Sequence, residues 1–304
     1  MRTPSLHCAA RKERVGTLFA PTLYDRGMAA PKPKPLTSIK SLVLVGAGKM
    51  GSAMLEGWMA RGLAARKITV IEPQPGKMLK ALTRRGLKLN PKRNKAPAAV
   101  IVIAVKPQIA SVAVPPLAPF VGKGTLVISI MAGRAIASLQ DNLPAKTAIV
   151  RAIPNTPAAI GRGISGAVAN ANVSPRQRTK AASLLAAIGA VEWVSDESMM
   201  DAVTALSGSG PAYVFLLAET MTEAGIVAGL APELAARLAR ETVAGAGELL
   251  RRSPLDAATL RQNVTSPGGT TAAALEILMG PGGFDALLMQ AIAAATRRGR
   301  ELAE

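Results

Sequence analysis

The amino-acid sequence predicts an α/β fold in which a doubly wound parallel sheet is followed by an all-helical second domain. Short β-branched runs alternate with Ala-rich stretches of helical length, at residues 41–45, 68–71, 100–105, 125–130, 148–151, 165–169 and 191–194. Strands that are apolar on consecutive positions and separated by helices are typical of a parallel sheet covered on both faces. After residue 194 strand-like runs disappear, and Ala and Leu recur at helical spacing. The expected domains are therefore 39–195 and 196–304.

Residues 1–38 are predicted to lie outside both domains. They are rich in Lys and Arg and end in the run PKPKP at 31–35, a composition that does not form a packed core. We interpret this segment as a disordered tail or as the result of a start codon placed too early, with Met28 as the true start. A transit peptide is the alternative interpretation.

The predicted domains contain neither imidazole nor thiolate. The single histidine, His7, and the single cysteine, Cys8, both fall in residues 1–38. A disulfide framework, a Cys/His zinc site, a Ser-His-Asp triad and a Cys-His dyad all need residues that the domains lack. No metal site is therefore expected, and any reaction has to proceed without these groups.

The formal charge of +18 predicts an affinity for small anions rather than for nucleic acid. The basic residues are spread along the chain, and only 3% of residues are aromatic, too few to offer stacking platforms for bases. No apolar run reaches the roughly 18 residues that span a bilayer. We expect no nucleic-acid or membrane partner, and a cytoplasmic location.

The first functional motif immediately follows the first predicted strand and reads Gly46-Ala47-Gly48-Lys49-Met50-Gly51. A G-x-G-x-x-G between a strand and a helix is typical of dinucleotide sites, because the glycines let backbone N–H groups approach a pyrophosphate at a helix N-terminus. A glycine-rich turn without a ligand is the alternative.

Glu72 ends the second predicted strand, 21 residues after Gly51 (72 − 51). An acid at this distance typically binds the adenosine ribose 2′-hydroxyl and would repel a 2′-phosphate. Glu72 therefore favours NADH over NADPH, unless Lys77 or a nearby Arg compensates. A solvated acid at a strand end is the alternative.

A second loop with a predicted binding role comprises Ser266, Pro267, Gly268, Gly269, Thr270 and Thr271, before a helix expected at 272–279. We predict that Ser266 caps this helix and that Pro267 takes its first position. Successive amides beside the glycines can hold a carboxylate, and the Thr hydroxyls can bond a ring nitrogen. A purely structural cap is equally compatible with this pattern. A further Gly/Ser cluster at 207–211 is interpreted as a site of tight helix packing or as a helix junction.

Together with these loops, four further motifs resemble those of pyrroline-5-carboxylate reductases along nearly the whole chain after Ile39. They are AVKPQ at 104–108, SIMAG at 129–133, PNTP at 154–157 and LSGSGPAY at 206–213. The resemblance implies a Rossmann domain followed by an all-α C-terminal dimerisation domain, hence a homodimer or larger homo-oligomer. It implies reduction of 1-pyrroline-5-carboxylate to L-proline, the last step of proline biosynthesis, with NADPH or NADH.

The resemblance also implies roles for individual residues. On the cofactor side, Asn94 lies near the adenosine ribose, and the nicotinamide half is lined by Ala104, Val105, Lys106, Pro107 and Ala132. On the substrate side, amides around Gly269 and Thr270 hold the carboxylate, and the Thr271 hydroxyl meets the ring nitrogen. Glu197 and Asn263 lie near the substrate; a first-turn helix acid and a capping amide are their structural alternatives.

The absence of histidine is compatible with this chemistry. A ring imine can bind already protonated, so a hydride yields the amine without a strong acid, and Thr271 orients the ring rather than supplying the proton. The alternatives are another Rossmann-type imine or 3-hydroxyacid reductase and a non-catalytic dinucleotide-binding regulator. The hydroxyacid enzymes generally use a lysine of the second domain, and residues 196–304 contain none.

Overall fold

One mixed sheet organises the first two thirds of the chain. The computed structural model describes residues 35–91 and 97–303, and within them eight strands pair in the order β3-β2-β1-β4-β5-β6-β7-β8. The strands are β1 (Leu42–Val45), β2 (Ile68–Ile71), β3 (Lys88–Leu89), β4 (Val100–Ile103), β5 (Leu126–Ser129), β6 (Ala148–Pro154), β7 (Gly163–Ala169) and β8 (Gly189–Trp193). The first six have the order of a Rossmann fold, with its switch point between β1 and β4. The α/β fold predicted from the sequence is confirmed.

Helices cover both faces of the sheet and then form the second part of the chain. They are α1 (Lys49–Ala60), α2 (Lys77–Thr83), α3 (Ala110–Ala113), α4 (Ile136–Gln140), α5 (Pro175–Leu185), α6 (Met200–Val203), α7 (Gly210–Val227), α8 (Pro232–Arg252), α9 (Ala257–Asn263), α10 (Thr270–Leu278) and α11 (Phe284–Ala303). A π-helical turn, Thr204–Gly208, joins α6 to α7, so the Gly/Ser cluster does lie at a helix junction.

Alternating residues of the central strands enter two separate cores. Leu42 and Leu44 of β1 belong to one buried cluster, which includes Trp58 of α1, whereas Val43 and Val45 belong to the other. This division follows from the two-residue period of a strand. Leu36 is also buried in the first cluster, so the packed chain includes residues before the boundary predicted at residue 39. Residues 1–34 lie outside the described residues.

The parallel direction expected for the strands was wrong at one pair. β7 runs antiparallel to β6, with Arg151 paired to Val168, whereas the other neighbouring pairs are parallel. Only residues 155–162 connect these two strands, and they form a short 3-10 helix, Thr156–Ile160, that ends at Gly161. A parallel crossover needs a dozen or more residues, so this connection is too short for one.

The helical part of the chain buries few of its own side chains. Among described residues after Val203, the buried hydrophobics are three alanines, Ala205, Ala235 and Ala239. Large apolar side chains remain exposed along the helices, including Phe215 at 65% and Ile277 at 78%. Contiguous apolar surface on this scale is typical of an interface rather than of a monomer's exterior.

Among the described residues, no helix has the combined length and apolar character that crossing a membrane requires.

Candidate active site

The glycine motif forms a turn in which two of the three glycines are closely packed and the middle one is open. Gly46 has φ +86°, and a Cβ there would lie 2.7 Å from the Ala104 carbonyl oxygen; a Cβ at Gly51 would collide with the Gly46 carbonyl oxygen. A Cβ at Gly48 would instead meet no described atom within 4 Å. The first and third glycines are therefore required by packing, whereas Gly48 leaves an open approach to the backbone. These are the roles that the three glycines of a dinucleotide cradle serve.

Helix α1 begins directly at this opening. Its N-cap is Gly48, and its first turn has neither a capping side chain nor an acidic residue in the described chain. The first amides of a helix lack partners within the helix, and the helix dipole adds partial positive charge there. The Ser52 hydroxyl donates to the Ala47 carbonyl at 2.7 Å and so steadies the turn. Free amides, an open approach and a positive dipole make this helix N-terminus suited to an anion.

Glu72 is placed against the glycine motif. Its carboxylate accepts from the Ala47 N–H at 2.8 Å and from the Gln74 N–H at 3.0 Å. Asn90, which has φ +44°, exchanges two side-chain hydrogen bonds of 2.8 Å with the Glu72 backbone. The structure thus brings the second-strand acid to the glycine motif, as the spacing predicted. The supporting role of Asn90 was missed, because nothing in the local sequence identifies its partner.

The residues expected around the nicotinamide half lie at the same edge of the sheet. The Ala104 N–H donates to the Val45 carbonyl at 2.7 Å, which sets the segment 104–107 beside the glycine motif. Arg134 Nη2 donates to the Pro107 carbonyl at 3.3 Å and links this segment to the loop that follows β5. Lys106 and Ala132 are exposed at this edge. Asn94, expected near the ribose, lies outside the described residues.

The second predicted loop lies at the start of α10, which begins two residues before the expected position 272 but has its N-cap three residues after the predicted one, Ser266. Its N-cap is Gly269 and its first residue is Thr270, so Ser266 is not the cap and Pro267 is not helical. The reason is a turn in which the Ser266 carbonyl accepts from the Gly269 N–H at 3.0 Å, while Gly268 adopts φ +68°. The amides of Thr270 and Thr271 therefore occupy the free N-terminus of α10, which has no side-chain cap.

This loop, residues 266–271, is called here the substrate loop after its predicted role, and it is largely exposed. Neither α9 nor α10 buries a residue, and the two buried clusters include no described residue after Val203. Asn263, the last residue of α9, is exposed beside the loop. A single chain thus does not enclose the loop, and the structure does not bring it onto the glycine motif.

Glu197 has a definite set of partners. Its Oε1 accepts from Arg151 Nη1 at 2.9 Å and from the Ile136 N–H at 2.8 Å. Hydrogen bonding from the Ser198 side chain, and then from its backbone N–H, holds the pKa of the neighbouring Asp196 carboxyl below its usual value. Sequence reasoning missed Arg151, although a single Arg within the apolar run of β6 is a signal that could have found it.

A cavity of about 520 Å³ joins two motifs that had no assigned role. Asn155 and Pro157, after β6, line it together with Ser207 and Tyr213 of the π-helical turn and α7. The Tyr213 hydroxyl donates to the Ala205 carbonyl at 2.9 Å, which holds the turn closed. π-Helical turns occur frequently at functional sites.

Comparison with known proteins identifies the family. A model described as "Pyrroline-5-carboxylate reductase dimerisation" matches residues 197–302, and one described as "NADP oxidoreductase coenzyme F420-dependent" matches residues 41–133. The pyrroline-5-carboxylate reductase of Pseudomonas aeruginosa is 41% identical over 269 residues, covering 88% of this chain and 98% of that protein. The chain belongs to the pyrroline-5-carboxylate reductase family. The reductase of Pisum sativum is 35% identical over 88% of this chain and 97% of its own length.

Solved structures of pyrroline-5-carboxylate reductases also superpose on this chain. The Coxiella burnetii reductase has a TM-score of 0.81 and 34% identity, covering 88% of this chain and 99% of its own. The Plasmodium falciparum reductase, solved with NADP bound, has a TM-score of 0.72 and 29% identity, with the same coverage of both chains. These likenesses confirm the fold predicted for this chain, which is an NAD(P)-binding domain followed by a helical dimerisation domain.

Proposed function

We propose that this chain reduces 1-pyrroline-5-carboxylate to L-proline with NADH or NADPH. The observation that carries the proposal is the glycine cradle. At Gly46 and Gly51 neighbouring backbone atoms occupy the space that a Cβ would need, whereas at Gly48 this space is open at the start of α1. The cofactor would be held by the amides of Lys49, Met50 and Gly51, by Glu72, and by the segment 104–107 with Ala132. A bound reduced nicotinamide supplies a hydride.

The substrate loop is expected to fix the other reactant. The amides around Gly269 and Thr270, at a helix N-terminus without a cap or an acid, are suited to a carboxylate. The Thr271 hydroxyl orients the ring nitrogen, and a substrate that arrives protonated needs no further acid. Because holding two reactants about 3–3.5 Å apart can lower a barrier by several kcal/mol, orientation supplies the main catalytic effect. Lys106 belongs to the cofactor segment and is not assigned as an acid.

Thr271→Ala is expected to lower kcat about tenfold or more, because the ring nitrogen loses the hydroxyl that orients it. The dinucleotide Kd is expected to stay within about twofold, since the glycine cradle is unchanged. Steady-state kinetics and dinucleotide titration check both values. Thr271→Ser, which keeps the hydroxyl, should restore most of the turnover; equal turnover of the Ala and Ser variants would remove the hydroxyl from the mechanism.

A homodimer formed through the helical part would cover the exposed apolar helices. The matched dimerisation model spans residues 197–302, which include α7 to α10 and all but the last residue of α11. Burying this apolar surface against a second copy makes association favourable in free energy, whereas in a single chain the same surface stays in contact with water. The same contact would enclose the substrate loop, so activity is expected to require the oligomer.

Phe215→Glu is expected to weaken self-association at least about 100-fold, because it places an unpaired charge in the apolar interface. Phe215 is 65% exposed on α7 of the single chain. Sedimentation over a range of protein concentrations measures the change, and proline formation should fall in parallel. Gln140→Glu adds the same charge to an exposed position of α4 and serves as the control. An unchanged association constant for Phe215→Glu would exclude α7 from the interface.

NADH is expected to be the better hydride donor, and Glu72→Gln should raise the NADPH/NADH ratio of kcat/KM at least about tenfold. The variant keeps a side-chain acceptor for the Ala47 N–H but removes the charge that repels a 2′-phosphate. Rates with both donors measure the ratio. Glu56→Gln, which removes the same charge from the exposed side of α1, should leave the ratio unchanged. A ratio that does not respond to Glu72→Gln would place the ribose elsewhere.

The proposed reaction is tested by following oxidation of NADH and of NADPH by the purified full chain on addition of 1-pyrroline-5-carboxylate. The expected result is substrate-dependent oxidation with stoichiometric formation of proline. Oxidation of the dinucleotide on addition of a 3-oxoacid but not of the cyclic imine would overturn the proposal. Dinucleotide binding without oxidation by either compound would favour a non-catalytic regulator. A cytoplasmic location stays a prediction.

A further inference from the structure

Arg151 is a buried charge whose counter-ion among the described residues is Glu197. It interrupts the apolar strand β6, and its side chain is 4% exposed. Nη1 donates to Glu197 Oε1 at 2.9 Å, while Nε and Nη2 are buried and have no hydrogen-bond partner within the described residues. Burying a guanidinium costs several kcal/mol unless a counter-charge compensates. The electrostatic attraction of this buried guanidinium therefore holds the carboxylate of Glu197 next to Arg151.

The same carboxylate oxygen fixes the first residue of α4. Oε1 of Glu197 accepts from the Ile136 N–H at 2.8 Å. Ile136 directly follows the segment 131–135, called here the β5 loop, which contains Ala132. Glu197 itself begins the 3-10 helix Glu197–Met199 at the start of the helical part. One side chain thus joins the buried strand β6, the β5 loop and the first turn of the helical part.

The β5 loop is held from two other sides. Arg134 Nη2 donates to the Pro107 carbonyl at 3.3 Å. Gly133 packs against the end of α11, where a Cβ on Gly133 would lie 3.4 Å from the Leu302 carbonyl oxygen. The turn that carries Glu197 is in turn capped by Asp196, whose Oδ1 accepts from the Ser198 N–H at 2.7 Å. The loop is consequently held at Gly133, at Arg134 and at the following Ile136 rather than free at the sheet edge.

We infer that Arg151 and Glu197 are positioning residues for the nicotinamide half of the cofactor. Arg151 holds the Glu197 carboxylate, which holds the Ile136 N–H, and this bond fixes Ala132 at the edge where hydride transfer is proposed. The inference rests on the proposed function, because that function places the nicotinamide beside the β5 loop. It gives Glu197 a role in addition to the substrate contact that the family resemblance implies.

The test compares Ile136→Pro with Ile136→Ala. Both shorten a buried side chain, but only Pro removes the N–H donor. Pro is compatible with this first helical position, because the preceding Ala135 is extended at φ −69° and ψ 156°. The Kd values of NADH and of ADP-ribose are measured without substrate. The Pro variant is expected to bind NADH at least about tenfold more weakly than the Ala variant, with equal ADP-ribose affinity, because only the nicotinamide half depends on the loop.

A second pair of variants changes the acceptor instead of the donor. Arg151→Met/Glu197→Gln keeps an acceptor for the Ile136 N–H, whereas Arg151→Met/Glu197→Leu does not, and neither leaves a buried charge unpaired. The same difference in NADH affinity is expected within this pair. Glu248→Leu, which breaks an exposed ion pair with Arg252, should change neither affinity and serves as the control.

Each outcome decides one question. Equal NADH affinities within either folded pair would overturn the positioning role, and so would a parallel loss of ADP-ribose affinity, which would indicate general structural damage. If the wild-type chain binds neither NADH nor ADP-ribose, the proposed function fails instead. A weaker NADH affinity confined to the Pro and Leu variants would support the inference.

Discussion

Gly48→Val is expected to weaken NADH binding at least about 100-fold while leaving the fold intact. The added side chain would enter the open approach between Gly46 and Gly51, where a Cβ meets no described atom within 4 Å. A dinucleotide pyrophosphate would then be displaced from the amides of α1. Hydrogen bonds to a charged group contribute about 1.5–3 kcal/mol each, so the loss of two corresponds to at least ~100-fold in Kd. Calorimetric titration with NADH measures the change.

Gly76→Val is the matched control for this substitution. Gly76 is the N-cap of α2 with φ −71° and ψ 173°, close to the −65° and −165° of Gly48. A Cβ at Gly76 likewise meets no described atom within 4 Å. Both variants therefore impose a similar conformational cost on the chain, and Tm should change to a similar, small extent. An NADH Kd that is the same in both variants would exclude the glycine cradle as the cofactor site.

Thr270→Pro is expected to raise the KM for 1-pyrroline-5-carboxylate at least about tenfold. Thr270 is the first residue of α10, and the preceding Gly269 is extended at φ −83° and ψ 173°. Proline is favoured at this helical position, so the substitution removes one N–H donor without breaking the helix. A carboxylate that loses one charge-assisted hydrogen bond is weakened by about 1.5–3 kcal/mol. Initial-rate kinetics at saturating NADH give the KM.

Thr270→Ala separates the amide from the hydroxyl at this position. It keeps the N–H donor, so the KM should stay within about threefold of the wild-type value. The NADH Kd should be unchanged in both variants, because residues 266–271 do not belong to the glycine cradle. A Thr270→Pro variant that remains helical and keeps the wild-type KM would show that the substrate carboxylate does not bind at this helix N-terminus.

Local sequence patterns were sufficient to predict most of the sheet. The strand expected at 68–71 occupies Ile68–Ile71, and the glycine motif falls between β1 and α1, because hydrophobic runs and turn residues are local signals. β3 was missed, since two residues offer no pattern. β7 was predicted as a strand at 165–169, but its antiparallel direction was missed although its short connection was visible, because consecutive apolar positions do not reveal strand direction.

The candidate site was less completely predictable, for two physical reasons. The start of α10 depends on the turn between Ser266 and Gly269, whereas Ser and Pro had favoured an earlier cap. The Arg151–Glu197 pair joins residues 46 positions apart, and periodicity carries no information about such a contact. The apolar composition of α7 is visible in the sequence, but the surface expected to cover it belongs to a second copy of the chain, about which the sequence pattern carries no information.

Transfer of deuterium is the most direct test of the central claim, that a cyclic imine receives a hydride from a nicotinamide in this protein. The purified oligomer is given 1-pyrroline-5-carboxylate and NADH that carries deuterium at both positions of the reactive nicotinamide carbon. Mass spectrometry of the product should find proline one mass unit heavier. The deuterium should be on Cδ, the methylene ring carbon next to nitrogen, and not on Cα. Unlabelled proline, or no proline from a folded oligomer that binds NADH, would contradict the claim.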